Sequence, residues 1–503
     1  MTIIDLVDNN AKKYSAREAL WDSNKSYTFR ELREKGESAA ACFQKWGVKK
    51  GDPVALMSQN TADFVFSFFG ILKAGGIVVP INHKLTTTEV EYILKDSDTK
   101  LFLFDGTLKD IALSITRDIK KIAIDTPAEN FTSLQDAMAE GISFKPVSVD
   151  DKDSAEILYT SGTTGKPKGC VHTHESVIAA GITGVKCVDF TDRDRTLIAM
   201  PIWHSSPLNN WFMGTTLVGG AVVLLREYHP LFFLQIIEQQ KCSVYFGAPI
   251  SYLMPLQVVE NFDQFNLSSM RAWIYGGGPI APETVRRLVK NYKSDKFYQV
   301  YGMTEAGPSG TVLTPEDHEK KAGAIGNKPL PGASIKIMKD SSTMANPGET
   351  GEIWLKAASM MKEYLDNAQA TEAAFHDGWY CTGDVVRIDD DGYWYIVDRI
   401  KDIIVTGGEN VYSKEVEDAI AGHQDVNEVA VVGFPHPDWG ETITAMIVPQ
   451  KDKELTKKEL DDFLSNRLAK FKTPKKYFFV EELPHTPSGK VMKYKLRQKT
   501  IKD

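Results

Sequence analysis

Residues 159–169 read YTSGTTGKPKG, and no other stretch constrains the chain as tightly. Three glycines, three threonines, one serine and two lysines share these eleven positions. The preceding residues 154–159 (SAEILY) form an apolar run that predicts a buried strand. A strand opening into such a loop lets a backbone approach a polyphosphate. Glycines remove the Cβ clash, N–H groups and hydroxyls face the oxygens, and lysines neutralise charge. The spacing differs from the P-loop G-x-x-x-x-G-K-[ST], because Gly162 and Gly165 are only three apart and Pro167 follows Lys166. A plain surface turn is the alternative for any Gly/Ser/Thr-rich stretch. The hydroxyls and lysines behind a strand favour nucleotide phosphates.

The chain is long enough, at 503 residues, for more than one domain. Its 42% hydrophobic and 25% charged residues are those of an ordinary globular protein. A net charge of −8 argues against general nucleic-acid binding. The charge is uneven: residues 451–503 carry 15 Lys/Arg against 8 Asp/Glu, net +7, leaving −15 for residues 1–450. That basic end is either a solvated tail or a segment that visits anionic ligands. Cys42, Cys170, Cys187, Cys242 and Cys381 are odd in number and form no CxxC, which predicts a reducing, cytoplasmic setting without disulfides or zinc. The N-terminus has no long apolar core and predicts no secretory signal. Residues 64–72 are too short to span a bilayer and predict a buried helix, so no integral membrane segment is expected.

Strand and helix signals alternate from the start. Thr28 and Glu31, then Thr86 and Glu89, have capping-box spacing ahead of helical patterns. Between and after them, residues 53–57 (PVALM), 77–81 (IVVPI) and 101–104 (LFLF) are short apolar runs, and similar runs recur at 196–200, 221–225, 243–246 and 271–275. The expected fold is α/β, with a large N-terminal domain of parallel-type sheets covered by helices. From about residue 330 the segments are short, β-like and divided by turn signals, predicting a small β-rich subdomain. After Asp398 a small α/β unit follows, with Thr456 and Glu459 capping another helix. The boundaries read 1–398 for the large domain, 399–402 for a hinge and 403–503 for a small mobile C-terminal domain.

Four further segments follow in order: 301–305 (YGMTE), 380–384 (YCTGD), 398–412 (DRIKDIIVTGGENVY) and 484–493 (PHTPSGKVMK). With YTSGTTGKPKG they resemble the signature motifs of the adenylate-forming superfamily, which comprises acyl-CoA synthetases, carrier-protein adenylation domains and luciferases. The resemblance covers the chain from about residue 154 to its end. It implies that Thr160, Ser161, Gly162, Thr163, Thr164, Gly165, Lys166 and Lys168 form a mobile grip on the β- and γ-phosphates of ATP. It implies that Tyr301 stacks on adenine beside Gly302, that Thr304 contacts the α-phosphate and that Glu305 helps hold Mg2+, a hard cation suited to carboxylate oxygen. Asp384 would bind the ribose hydroxyls, Arg399 would reach ribose and α-phosphate with its planar fork, and Gly276, Gly277 and Gly278 would let adenine and the acyl group lie against the backbone. Taken alone, a turn Asp is most often a local backbone cap and a glycine triplet a tight turn.

By the same resemblance, Lys490 bridges the substrate carboxylate and the α-phosphate during adenylation. Lys401 is the hinge position, and its rotation would bring Gly407 and Gly408 to the acyl-adenylate, where two glycines let the coenzyme A thiol pass. His204 takes the gating position near the carboxylate tunnel, with a packed core histidine as the alternative. His172 and His174 have no third ligand nearby in the sequence and are read as structural or phosphate-proximal. Pocket positions implied by the family contain Trp203, Trp211, Met213, Met303 and Gly307. No Lys or Arg falls in residues 203–213, 276–278 or 303–310, so a second substrate carboxylate would be buried unpaired. The expected substrate is therefore an apolar monocarboxylate, a fatty acid ahead of an aryl or cinnamic-type acid. Arg226 folding inward would readmit a dicarboxylate. The implied function is an ATP-dependent carboxylate–CoA ligase, acting as a monomer or homodimer. The alternative is an adenylation enzyme that loads a carrier protein, although no carrier domain with a phosphopantetheine serine adjoins the final motif.

Overall fold

The computed structural model describes all residues except 161–166, 279, 281, 407–408, 438, 466, 486–490 and 499–503. The chain gathers into two compact units. The first comprises Met1–Thr160, Pro167–Ile335 and Leu355–Tyr380; the second takes Lys336–Trp354 and the chain from Cys381 onward. Compactness thus groups part of the β-rich region with the C-terminal portion. The hinge at 399–402 concerns motion, which compactness does not test.

The first unit holds two sheets. One has nine strands in the order 328–329, Thr311–Leu313, Phe297–Tyr301, Ala272–Gly276, Val244–Gly247, Arg195–Ile198, Ala221–Leu224, Glu18–Asp22 and Lys25–Thr28. The other has eight, in the order Glu363–Tyr364, Lys168–Thr173, Ser154–Thr160, Ile77–Ile81, Pro53–Met57, Leu101–Asp105, Lys120–Ile124 and Thr132–Ser133. Their middle strands are parallel and nearly wholly buried, which is why they read as unbroken apolar runs. Both edges of the nine-stranded sheet and one edge of the eight-stranded sheet are antiparallel, while Thr132–Ser133 at its other edge runs parallel to Lys120–Ile124, so both sheets are mixed. Helix Ala62–Lys73 is buried along its length, with Ala62, Phe64, Phe69 and Leu72 in the core. It packs against Phe29–Lys45, whose Thr28–Glu31 capping box forms as the spacing predicts.

The phosphate-loop strand Ser154–Thr160 does not lead into a helix. Strand Lys168–Thr173 returns antiparallel to it, with Thr160 opposite Lys168. Thr160 and Lys168, expected within the loop, are therefore the last paired residues of a hairpin. Their backbone groups are committed to the ladder, which fixes both ends of the loop. Helix His174–Val188 begins only afterwards, capped by the Thr173 side chain.

In the second unit, Trp379–Ile388 pairs antiparallel with Trp394–Arg399, bringing Asp384 opposite Arg399. A five-stranded sheet follows in the order Glu409–Val411, Ile404–Thr406, Gly440–Pro449 and Val426–His436, with Lys476–Phe479 also on Gly440–Pro449. Helices Ser413–Ala421 and Lys457–Leu464 bury Val416, Ile420, Leu460 and Leu464 in a core with Ile404 and Val431. Among the described residues, no helix is long and apolar enough to cross a membrane.

Candidate functional site

Strand Phe297–Tyr301 ends in buried Tyr301, and the chain turns through Gly302 into the short 3-10 segment Thr304–Ala306. Gly307 closes this turn at φ +61°, where a Cβ would collide with the Ser359 carbonyl. Segments distant in sequence hold the turn in place. Met361 N–H donates to Glu305 O at 2.8 Å, and Ser359 Oγ donates to Ala306 O at 2.7 Å. His172, on strand Lys168–Thr173, meets Thr304 O through Nε2 at 3.0 Å. Burial holds the His172 imidazole near pKa 4, so it is neutral at neutral pH and Nε2 carries the donated proton. Thr304 Oγ1 lies 3.1 Å from Ser205 Oγ.

Glu305 and Lys168 meet a common residue that the sequence reading had passed over. Tyr364 Oη donates to Glu305 Oε1 at 2.9 Å, and the Lys168 ammonium sits 3.9 Å from the centre of the Tyr364 ring. Tyr380 Oη lies 3.4 Å from Tyr364 Oη. Burial, reinforced by the Glu305 charge, pushes both phenols far above their ordinary value, so both stay protonated. Behind the turn, Glu156 is wholly buried on strand Ser154–Thr160 and stands opposite His172 in the ladder. Its Oε1 accepts from Asn209 Nδ2, and burial pushes its carboxyl up to about 7. A charged residue inside SAEILY was the available signal for Glu156. Nothing local marked Tyr364.

On the side expected to take the acid, His204 stacks on Trp203 with ring centroids 4.4 Å apart, and Trp203 Nε1 donates to His83 Nδ1 at 3.1 Å. A π-helical segment, Ser206–Phe212, carries Trp211 into a small cavity lined also by Thr183, Gly184, Cys187, Asn210, Val300, Pro308 and Leu330. Helix Met213–Val218 continues from it, with Met213 wholly buried. Met303 packs instead with Cys170, Met361 and Tyr364. Gly276 ends strand Ala272–Gly276, and Gly277 adopts φ +77°, which explains a glycine there. Among the described residues, a Cβ on Gly278 would meet only Pro249, at 4.0 Å. Arg226 is committed elsewhere: it binds Asp105 at 2.6 Å, Asp125 at 2.5 Å and Gln59 Oε1 at 2.7 Å.

In the second unit, buried Asp384 pairs with Arg399 Nε at 2.8 Å, and its N–H donates to Thr382 Oγ1 at 3.0 Å. Its carboxylate meets a guanidinium, and the residue stands within strand Trp379–Ile388 rather than in the turn expected after Gly383. Lys401 lies on the exposed side of the turn Ile400–Asp402, whose buried Asp402 binds Arg497 at 2.7 Å. Ser161, Gly162, Thr163, Thr164, Gly165 and Lys166, then Gly407, Gly408 and Lys490, lie outside the described residues.

The family model for AMP-binding enzymes matches residues 7–365, and that for the AMP-binding enzyme C-terminal domain matches 415–490. A long-chain-fatty-acid–CoA ligase of Mycobacterium tuberculosis is 34% identical over 474 residues, covering 94% of this chain and 92% of the relative. A feruloyl-CoA synthase of an Amycolatopsis species is 33% identical over 476 residues, covering 94% of each. The fold matches o-succinylbenzoate CoA synthetase from Bacillus subtilis bound to its acyl-adenylate intermediate, with TM-score 0.88, 30% identity and 99% of each chain covered. The same enzyme with ATP and a magnesium ion gives TM-score 0.86 and 30% identity over 98% of this chain and 99% of that one.

Proposed function

This chain belongs to the AMP-binding enzyme family and is an AMP-forming acyl-CoA ligase using ATP, Mg2+ and coenzyme A, and from that premise we propose that its acid is an apolar monocarboxylate, a fatty acid ahead of an aryl or cinnamic-type acid. The observation that carries this reading is the absence of Lys and Arg from residues 203–213, 276–278 and 303–310, the stretches expected to line the acid's pocket. The small cavity beside Trp211 likewise has no charged side chain among its described lining residues. Its two polar members are already engaged: Thr183 Oγ1 donates to Pro331 O or Ala179 O at 3.0 and 3.1 Å, and Asn210 Nδ2 donates to Ala180 O at 3.0 Å. Arg226, the cation that would have readmitted a dicarboxylate, is occupied by Asp105 and Asp125. A second carboxylate would thus be buried without a partner.

The acid's carboxylate attacks the α-phosphorus of ATP, giving acyl-AMP and pyrophosphate. The coenzyme A thiol then attacks the acyl carbon and AMP leaves. Thr304, whose carbonyl is pinned by His172, presents its hydroxyl to the α-phosphate. Lys168 and the loop it closes hold the outer phosphates, and Tyr301 walls the adenine. Asp384 and Arg399 hold the ribose, Lys490 bridges the two reacting charges, and Gly407 and Gly408 admit the thiol. Glu305 fits Mg2+: its Oε1 accepts the Tyr364 hydrogen bond, and its other oxygen would hold a hard cation. The bound ion supplies charge neutralisation at the phosphate oxygens.

The test is AMP release with ATP and free coenzyme A across a straight-chain acid series, with aryl acids, malonate and succinate alongside. Each buried methylene contributes roughly 0.8 kcal/mol, so kcat/KM should rise about fourfold per carbon until the cavity closes. A flat profile, or preference for malonate or succinate, overturns the apolar reading. Acyl-AMP formed without thioester on free coenzyme A would point to a carrier-protein acceptor.

A further inference from the structure

We propose that Tyr364 is a positioning residue for adenylation, holding Glu305 in the orientation that receives the divalent cation while its ring seats Lys168. The inference rests on the reading of Glu305 as the cation ligand and adds a residue that reading did not contain. Tyr364 is only 3% exposed, and its hydroxyl proton is committed to Glu305 Oε1. With that proton committed, the neighbouring Tyr380 Oη is the donor in the 3.4 Å contact between the two hydroxyls. The chain Tyr380–Tyr364–Glu305 therefore runs one way and ends on the carboxylate, fixing which oxygen is spent and which is open. Such outer hydrogen bonds set the orientation of metal ligands.

The backbone around Tyr364 prevents it from adjusting independently. Met361 N–H binds Glu305 O at 2.8 Å, Lys362 N–H binds Val171 O at 2.7 Å, and Leu365 N–H binds Gly169 O at 2.8 Å. Tyr364 itself stands opposite Cys170 in the ladder with Lys168–Thr173. One short segment is thus tied both to the turn bearing Glu305 and to the strand bearing Lys168. The Lys168 ammonium, 3.9 Å from the ring centre, gains a cation–π contact that limits where this flexible side chain can go. Hydroxyl and ring act on different partners, so substitutions separate them. Tyr364→Phe removes the hold on Glu305 and keeps the seat for Lys168. Tyr364→Leu removes both.

Two readouts test this: the Mg2+ concentration for half-maximal pyrophosphate release, and ATP affinity by calorimetry with and without Mg2+. Tyr364→Phe should need about tenfold more Mg2+, as outer-shell substitutions do. Most of kcat should return at saturating Mg2+, and ATP affinity without metal should not change. Tyr364→Leu should in addition weaken metal-free ATP binding. Glu305→Gln provides the reference, and adding Tyr364→Phe to it should give no further shift in Mg2+ requirement. A purely structural tyrosine would instead lower the unfolding temperature in both backgrounds and leave the Mg2+ midpoint in place, which overturns the proposal. If Glu305→Gln raises the requirement and Tyr364→Phe does not, this inference fails alone. If Glu305→Gln leaves it unchanged, the cation-ligand reading fails and takes the inference with it.

Discussion

Glu156→Gln should make the protein more stable at alkaline pH, and the size of the effect follows from one buried carboxyl. Glu156 has no exposed surface, and its Oε2 has no hydrogen-bond partner among the described residues. Burial raises its pKa from 4.5 to about 7. Between those values the folded state binds the proton that the unfolded state has released, so stability falls as pH rises. The whole penalty is roughly 3 kcal/mol, at about 1.36 kcal/mol per pH unit, and is fully developed above about pH 8. Roughly 1 kcal/mol of it is already present at pH 5.5, so about 2 kcal/mol develops between pH 5.5 and 8.5. Glutamine keeps the acceptor for Asn209 and carries no titrating proton. Urea unfolding of both proteins at pH 5.5, 7 and 8.5 measures this, following the first unit's transition. His172 titrates in both, so its contribution cancels from the difference. The stability advantage of the variant should grow by about 2 kcal/mol across that range and then level off. A difference that stays constant with pH would mean Glu156 titrates alike in the folded and unfolded chains, and the burial argument would be wrong.

Two predictions concern the half-reactions. Lys490→Ala should cut acyl-AMP formation by about 100-fold or more, the scale for removing a transition-state charge partner, while thioester formation from supplied acyl-AMP changes little. Equal loss in both steps, measured by pyrophosphate and thioester release, would reject Lys490 as an adenylation-only group. Lys401→Pro fixes φ at the pivot, so adenylation should survive while thioester formation falls by about tenfold. Unchanged turnover would refute the domain-rotation reading.

The family was legible in its motifs because phosphate chemistry demands particular residue types in contiguous loops. YTSGTTGKPKG and YGMTE are local strings, and the strands delivering them, Ser154–Thr160 and Phe297–Tyr301, are local apolar runs. Capping boxes at Thr28, Thr86 and Thr456 were legible for the same reason: each is complete within four residues. The hairpin was not, since whether the chain after Lys168 returns as a strand depends on pairing with Ser154–Thr160 rather than on its own composition. Tyr364 escaped because its partner Glu305 is 59 residues away, and the pairing of Arg226 was not legible because its carboxylates are 121 and 101 residues away.

The acid side differs in kind. Under the proposed reading its walls would be packing residues of the kind that line the small cavity beside Trp211, such as Thr183, Cys187, Val300 and Leu330, which any α/β core uses. Selection there works through volume and the exclusion of unpaired charge, and many residue combinations give the same volume. A chain can therefore keep its phosphate and cation residues while its acid changes through a few packing substitutions. Similar identity to ligases for a long-chain fatty acid, 34%, and for a feruloyl group, 33%, is what such an arrangement produces. Overall identity therefore discriminates acids poorly, and the placement of unpaired cations discriminates them better. Arg226 illustrates the point: with Asp105 and Asp125 in place it serves the fold, and only removal of those carboxylates would release a positive charge for a substrate.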